Sequence, residues 1–137
     1  MKKEKKQTRI IAVSSGKGGV GKTNVVANLA IALGKQNKKV LIFDADTGLG
    51  NIDILMGLCP EHNLKHVLSG QKEIKEIIIK YNKEIHVLPA ASGIQQLAEL
   101  NNEQHLAISA EFDSLMGEYD VILMDTGAGI ASNVTLF

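Results

Sequence analysis

Residues 14–23, SSGKGGVGKT, come directly after the apolar run 10-IIAV-13, and two phosphate-binding spacings overlap in them. Gly16, Gly18 and Gly21 spell the dinucleotide fingerprint G-x-G-x-x-G, while Gly16, Gly21, Lys22 and Thr23 spell the P-loop, G-x-x-x-x-G-K-[ST]. The residues after the last glycine decide between them. A dinucleotide fold uses its third glycine for close helix packing and follows it with small or apolar side chains; here an ammonium and a hydroxyl follow. Both have a task in a P-loop. Lys22 supplies a mobile positive charge at the outer phosphate oxygens, and Thr23 a hydroxyl ligand for Mg²⁺. The glycines let backbone N–H groups curl around phosphate, and the helix that follows adds the positive end of its dipole. The dinucleotide reading keeps one point in its favour: Asp44 ends the second apolar run, where a ribose-binding acid would lie.

Working outward, 9-RIIAVS-14, 39-KVLIFD-44, 85-IHVLPA-90 and 120-DVILMD-125 are short apolar runs bounded by turn residues. Runs apolar on both faces predict strands of a covered, parallel sheet. Between them, 22–36 has Val26, Leu29, Ala30 and Leu33 at helical spacing with Gly34 and lysines near its end as stop signals, and 103–119 carries Leu106, Ile108, Phe112 and Leu115 toward one side. Shorter helices are expected over 63–68, 71–80 and 94–100. This alternation predicts an α/β fold of the P-loop NTPase kind, a three-layer sandwich with a mostly parallel sheet and the ligand at the carboxyl ends of its strands. Carboxylates belong at those ends if a triphosphate is to be hydrolysed, and they are there: the second strand runs into 44-DADTGLGN-51 and the fourth into 125-DTGAG-129. Asp125, behind four apolar residues, matches a Walker B acid that holds Mg²⁺ through water. Asp46 is placed to orient the attacking water. Gly127 and Gly129 would let a backbone N–H approach the γ-phosphate and move when it leaves.

Composition narrows the classes of function. The 137 residues are 45% apolar and 22% charged, with 15 basic side chains against 15 acidic ones, so no net positive charge favours a polyanion. With no Trp, two Tyr and three Phe, a base-stacking surface is not expected, and nucleic acid is not indicated as a partner. One cysteine, Cys59, excludes an internal disulfide and fits a reducing, cytoplasmic setting. No run reaches the roughly 18 apolar residues of a membrane span, and MKKEKKQTR does not read as a signal peptide. Residues 1–8 are expected to be a basic flexible tail and 9–137 the N-terminal portion of the ATPase domain, because 130-IASNVTLF-137 resembles the start of a helix without its end. His62, His66, His86 and His105 show no metal-ligand spacing and are expected at surface or internally satisfied positions.

Lys17 is demanded by neither phosphate pattern. Two ammonium groups in one cradle repel, so an outward Lys17 is the easier arrangement. From there it could reach the phosphates of a second subunit docked face to face, as an arginine finger does, with ATP holding a homodimer together.

The run 16-GKGGVGKT-23 resembles the deviant Walker A motif of the MinD/ParA family, K-G-G-x-G-K-[ST], with Lys17 in the place of the signature lysine. The stretches 40-VLIFDADTGLGNIDILMGL-58, 63-NLKHVLSG-70, 87-VLPAASG-93 and 121-VILMDTGAGI-130 are similar to its MinD branch and, within it, to the FlhG (FleN) group that sets flagellar number and placement. The resemblance covers nearly the whole chain after residue 9. It implies ATP-dependent dimerisation, slow Mg²⁺-dependent ATP hydrolysis, and reversible attachment to the inner membrane. It assigns Lys17 and Lys22 to phosphate and, with Asp46, to catalysis; Thr23 and Asp125 to the magnesium side; and Gly16, Gly18, Gly19, Val20, Gly21, Asn24 and Gly129 to the nucleotide cradle. The flagellar GTPase FlhF is an implied partner, although MKKEKKQTR lacks the Asp-Gln-containing helix that stimulates it in that group. The family chain is about twice as long, and in its sheet order the strand at 9–14 lies beside one from the second half, so here it is expected at an edge. Division-site selection, DNA partition and a non-catalytic interaction fragment remain alternatives.

Overall fold

The computed structural model describes residues 7–13, 21–45, 52–89 and 99–126. Its elements run β1 (Arg9–Val13), α1 (Lys22–Lys35), β2 (Val40–Ala45), α2 (Ile52–Leu55), α3 (Leu64–Leu68), α4 (Ile74–Ile77), β3 (Ile79–Lys80), β4 (Ile85–Pro89), α5 (Asn102–Asp113) and β5 (Val121–Thr126). The sheet order is β1-β5-β2-β4-β3, with β1, β5, β2 and β4 parallel and β3 antiparallel to β4. This is the expected α/β architecture with a mostly parallel sheet. Among the described residues β1 is an edge strand, and Arg9 and Ala12 on it are exposed.

Side chains alternate across the strands, so each face of the sheet has its own core. On one face Val40, Ile42, Val87 and Leu123 pack with Val26, Ala27 and Ala30 of α1 and Ile52 of α2. On the other, Leu41, Phe43, Leu88 and Met124 pack with residues of α3, α4 and α5. Burial of a side chain such as Val26, which is fully inaccessible, stabilises the fold by about 1.5 to 3 kcal/mol.

Helix boundaries differ from the sequence reading where short-range chemistry intervened. The helix expected over 22–36 forms as α1, with Gly34 inside its last turn rather than after it. The helix continues to Lys35 and ends where Asn37 takes a left-handed conformation, φ 61°, with Lys38 N–H donating to the Leu33 carbonyl at 3.1 Å. Gly34 serves packing instead, since a Cβ there would stand 3.3 Å from Ile85 Cδ1 on β4. Of the helix expected over 71–80, only 74–77 forms. Its first amide, on Ile74, donates to the Glu111 carboxylate of α5 at 3.0 Å, and the β-branched run 77-III-79 then turns into strand β3. The Asn82 side chain closes that hairpin by accepting from the Glu84 and Ile85 amides at 2.9 and 2.7 Å. The helix expected over 94–100 falls mainly outside the described residues. Leu106, assigned to the inner side of α5, is 73% exposed. Two residues before the buried Ile108, it lies about 200° round the helix, on the opposite side.

Asn63 and Asn101 cap α3 and α5 with reciprocal side-chain and backbone bonds. Cys59 is exposed. No helix among the described residues is long and apolar enough to cross a membrane.

His86 of β4 is buried, its Nδ1 2.8 Å from the Tyr119 hydroxyl, and Lys39 Nζ lies 5.3 Å from the centre of the tyrosine ring. Thr8 Oγ1 donates to the Tyr119 carbonyl at 2.7 Å and accepts from the Gly117 amide at 2.8 Å, tying the start of β1 to the same corner. Burial, then Lys39 and Lys80, lowers the His86 pKa from 6.5, and burial, then Glu118, pushes Tyr119 up to about 12. The signs give a stability window. As pH falls below 6.5 the unfolded chain takes up a proton at His86 that the folded chain resists, and as pH rises past 10 it loses the tyrosine proton that the folded chain retains. Denaturant midpoints should therefore be highest between those limits. Replacing His86 by Gln should reduce the loss on the acid side, and an identical acid profile for this variant would refute the assignment.

Candidate functional site

The carboxyl ends of three strands stand level. Val13 of β1 pairs in register with Asp125 of β5, and Asp125 pairs with Asp44 of β2. The end of β1 at Val13 therefore lies beside Asp125. The chain is described again at Gly21, which adopts φ 79° and ψ 15°, a left-handed conformation suited to glycine, and α1 begins at the next residue. Gly21 has no side chain to cap the helix. The amides of Lys22, Thr23 and Asn24 open the helix, and Val25 N–H makes the first full-turn bond, to the Gly21 carbonyl at 3.0 Å.

Starting the helix here brings its first two side chains over the end of β5. The Lys22 ammonium forms an ion pair with Asp125 Oδ1. Thr23 Oγ1 donates to Asp125 Oδ2 at 3.2 Å. Asp125 is inaccessible and the Lys22 side chain 9% exposed, so this pair is largely removed from water. A buried carboxylate is tolerated where a cation and a hydroxyl serve it, as they do here. Asp44 is also buried, at 6% exposure. As the register partner of Asp125 on a parallel neighbour, it points to the same face of the sheet, the α1 side. The sequence reading placed Asp44 near this edge without including it in the site. Its signal was alternation, because Ile42 two residues earlier belongs to the α1-side core.

Of the residues singled out from the sequence, Gly21, Lys22, Thr23, Asn24 and Asp125 are thus gathered at one sheet edge. Gly16, Lys17, Gly18, Gly19, Val20, Asp46, Gly127 and Gly129 lie outside the described residues. Two buried carboxylates, one ammonium, one hydroxyl and a helix start led by a left-handed glycine combine an anion-attracting end with hard oxygen donors suited to a divalent cation.

Comparison with known proteins identifies the family. A family profile described as AAA domain, AAA_31, matches residues 8–133. The chain is 41% identical over 129 residues to the antiactivator FleN of Pseudomonas aeruginosa, covering 94% of this chain and 46% of that protein. It is 38% identical over 133 residues to the flagellum site-determining protein YlxH of Helicobacter pylori, covering 97% of this chain and 45% of that one. Among solved structures, the septum site-determining protein MinD of Pyrococcus horikoshii, complexed with Mg-ADP, superposes with a TM-score of 0.71 at 33% identity, over 95% of this chain and 53% of that one. The chain spans a little under half the length of the curated relatives it matches. With the AAA domain profile matched over nearly its full length and the P-loop fold in place, the chain belongs to the MinD/ParA family of P-loop ATPases.

Proposed function

We propose that this chain carries the phosphate-binding part of an ATP-hydrolysing, MinD-like switch that dimerises when it holds ATP and regulates flagellar number or placement. The observation that carries the proposal is the convergence of Lys22 and Thr23, at the start of α1, on Asp125 of β5, 103 and 102 positions away in sequence. A core-packing or purely structural turn has no need of a buried charged cluster at this point. Gly16, Gly18, Gly19, Val20, Gly21 and Asn24 would present backbone amides to the phosphates, Gly129 would let a backbone N–H approach the γ-phosphate, and Lys22 would neutralise phosphate charge. Thr23 and Asp125 fit Mg²⁺ by donor type, and the ion supplies neutralisation of charge on the phosphate oxygens. Asp46, one residue past β2, would orient the attacking water, and Lys17 would reach the nucleotide of a second subunit.

The flagellar role is supported by likeness to FleN and YlxH. An ATP-dependent homodimer, a flagellar GTPase such as FlhF as partner, and reversible inner-membrane association of a cytoplasmic protein complete the proposal. Likeness to MinD favours division-site selection as the second reading.

ATP turnover and oligomeric state of the whole protein test the proposal. Asp46→Ala should cut turnover by about 100-fold or more while leaving an ATP-dependent dimer, and Lys17→Ala should lose both. Turnover undiminished in both variants would sink the enzymatic assignment.

A further inference from the structure

Lys22 and Thr23 occupy successive positions at the start of α1, and both are engaged by one side chain of the sheet. Asp125 takes the Lys22 ammonium on Oδ1 and the Thr23 hydroxyl on Oδ2, in surroundings almost closed to water. These are the two groups that a metal-bound nucleotide would claim. We propose that Asp125 acts as an internal substitute for phosphate, a latch that holds Lys22 until a divalent cation releases it. This rests on the reading of the site as one for magnesium and nucleotide.

The reasoning concerns charge. A phosphate arriving without metal must draw Lys22 from a buried carboxylate, and Asp125 would be left as an uncompensated buried anion, among the costliest states in a protein interior. A phosphate arriving with a divalent cation meets a different situation. Lys22 passes from carboxylate to phosphate, the Thr23 hydroxyl passes from carboxylate to metal, and Asp125 passes from ammonium to the hydrated cation. Each polar group exchanges one partner for another, and no buried charge is stranded. Metal and nucleotide are then coupled through Asp125, and by linkage each strengthens the other's binding.

The latch makes a prediction different from that for an ordinary ligand residue. A residue that only holds magnesium would, when neutralised, relieve no more than its repulsion of phosphate, and that relief would persist without Lys22. A latch residue, once neutralised, should improve metal-free binding through Lys22. The experiment is equilibrium binding of a fluorescent ADP analogue to the whole protein, in EDTA and in Mg²⁺, at constant ionic strength. Asp125→Asn should bind metal-free ADP about tenfold more tightly than the unaltered protein, and the gain on adding Mg²⁺ should shrink to less than about threefold. In a Lys22→Gln background the same change should no longer improve metal-free binding, which assigns the effect to the pair. Asp125→Ala provides the same test if the asparagine variant does not fold, with circular dichroism to check each protein. Metal-free affinity unchanged or weakened in folded Asp125 variants, alongside Mg²⁺-dependent binding by the unaltered protein, overturns the latch alone. Failure of the unaltered protein to bind ADP even with Mg²⁺ overturns the nucleotide reading and the latch with it.

Discussion

Lys22→Ala is expected to abolish measurable ATP turnover and also to destabilise the nucleotide-free protein by about 3 kcal/mol. The second effect follows from the structure rather than from the motif. Asp125 is inaccessible, and its described partners are the Lys22 ammonium and the Thr23 hydroxyl. Removing the ammonium leaves a carboxylate in the interior with a single neutral donor, the situation in which breaking a buried pair costs more than the pair itself contributes. The double variant Lys22→Ala with Asp125→Ala should recover much of that stability without recovering turnover, because no unpaired charge remains. Urea denaturation of the two variants beside the unaltered protein is the measurement. A single variant as stable as the parent would show that water reaches Asp125 and that the pair is not buried in solution.

Phe43→Ala should be the more damaging change to the fold, costing about 4 kcal/mol. Phe43 is 2% exposed, at the centre of the core between the sheet and α5, and its ring meets that of Phe112 at 5.7 Å between centroids. Truncation empties a space that rigid neighbours on both strands beside β2 cannot fill. Against a total stability on the order of 5 to 15 kcal/mol, the loss should lower the folded population enough to appear as poor recovery of soluble protein. Ile54→Ala is the control: Ile54 is 72% exposed, and the change should alter stability by less than about 0.5 kcal/mol. Phe43→Ala has a further consequence for the site. Its neighbour Asp44 lies level with Asp125, so loosening β2 disturbs the acidic edge even though Phe43 faces the other way.

The two apolar residues show how differently position can be read. Nothing in the local composition distinguishes Ile54 from a core residue. What separates them is that Phe43 belongs to a strand run apolar on both faces, whereas Ile54 sits in a four-residue helix too short to display a period. Helix α2 was not expected for the same reason, nor was the two-residue strand β3. Leu106 differs from the expectation for another reason: it shares a side with Ile108 only if the helical angle is ignored, and that angle puts the two on opposite sides.

The His86–Tyr119 corner was equally hidden. Its partners stand 33 residues apart, and the only sequence signal was a histidine inside an otherwise apolar strand. The expectation of a surface or satisfied histidine is met at His86 by burial against a tyrosine hydroxyl, a pairing that no spacing rule would have selected.

Taken alone, the amino-acid order settled those features that depend on near neighbours: the strand before SSGKGGVGKT, the helix that starts at its end, and the alternation that makes a mostly parallel α/β sheet. Such features arise from backbone freedom and periodic burial within a few residues. Tertiary structure alone decided that Lys22 and Thr23 both turn to Asp125 and that Asp44 stands beside it on the same face. Those facts depend on strand order and register, which are set by how the two faces of the sheet bury their side chains against helices from distant parts of the chain, and no local pattern contains that information.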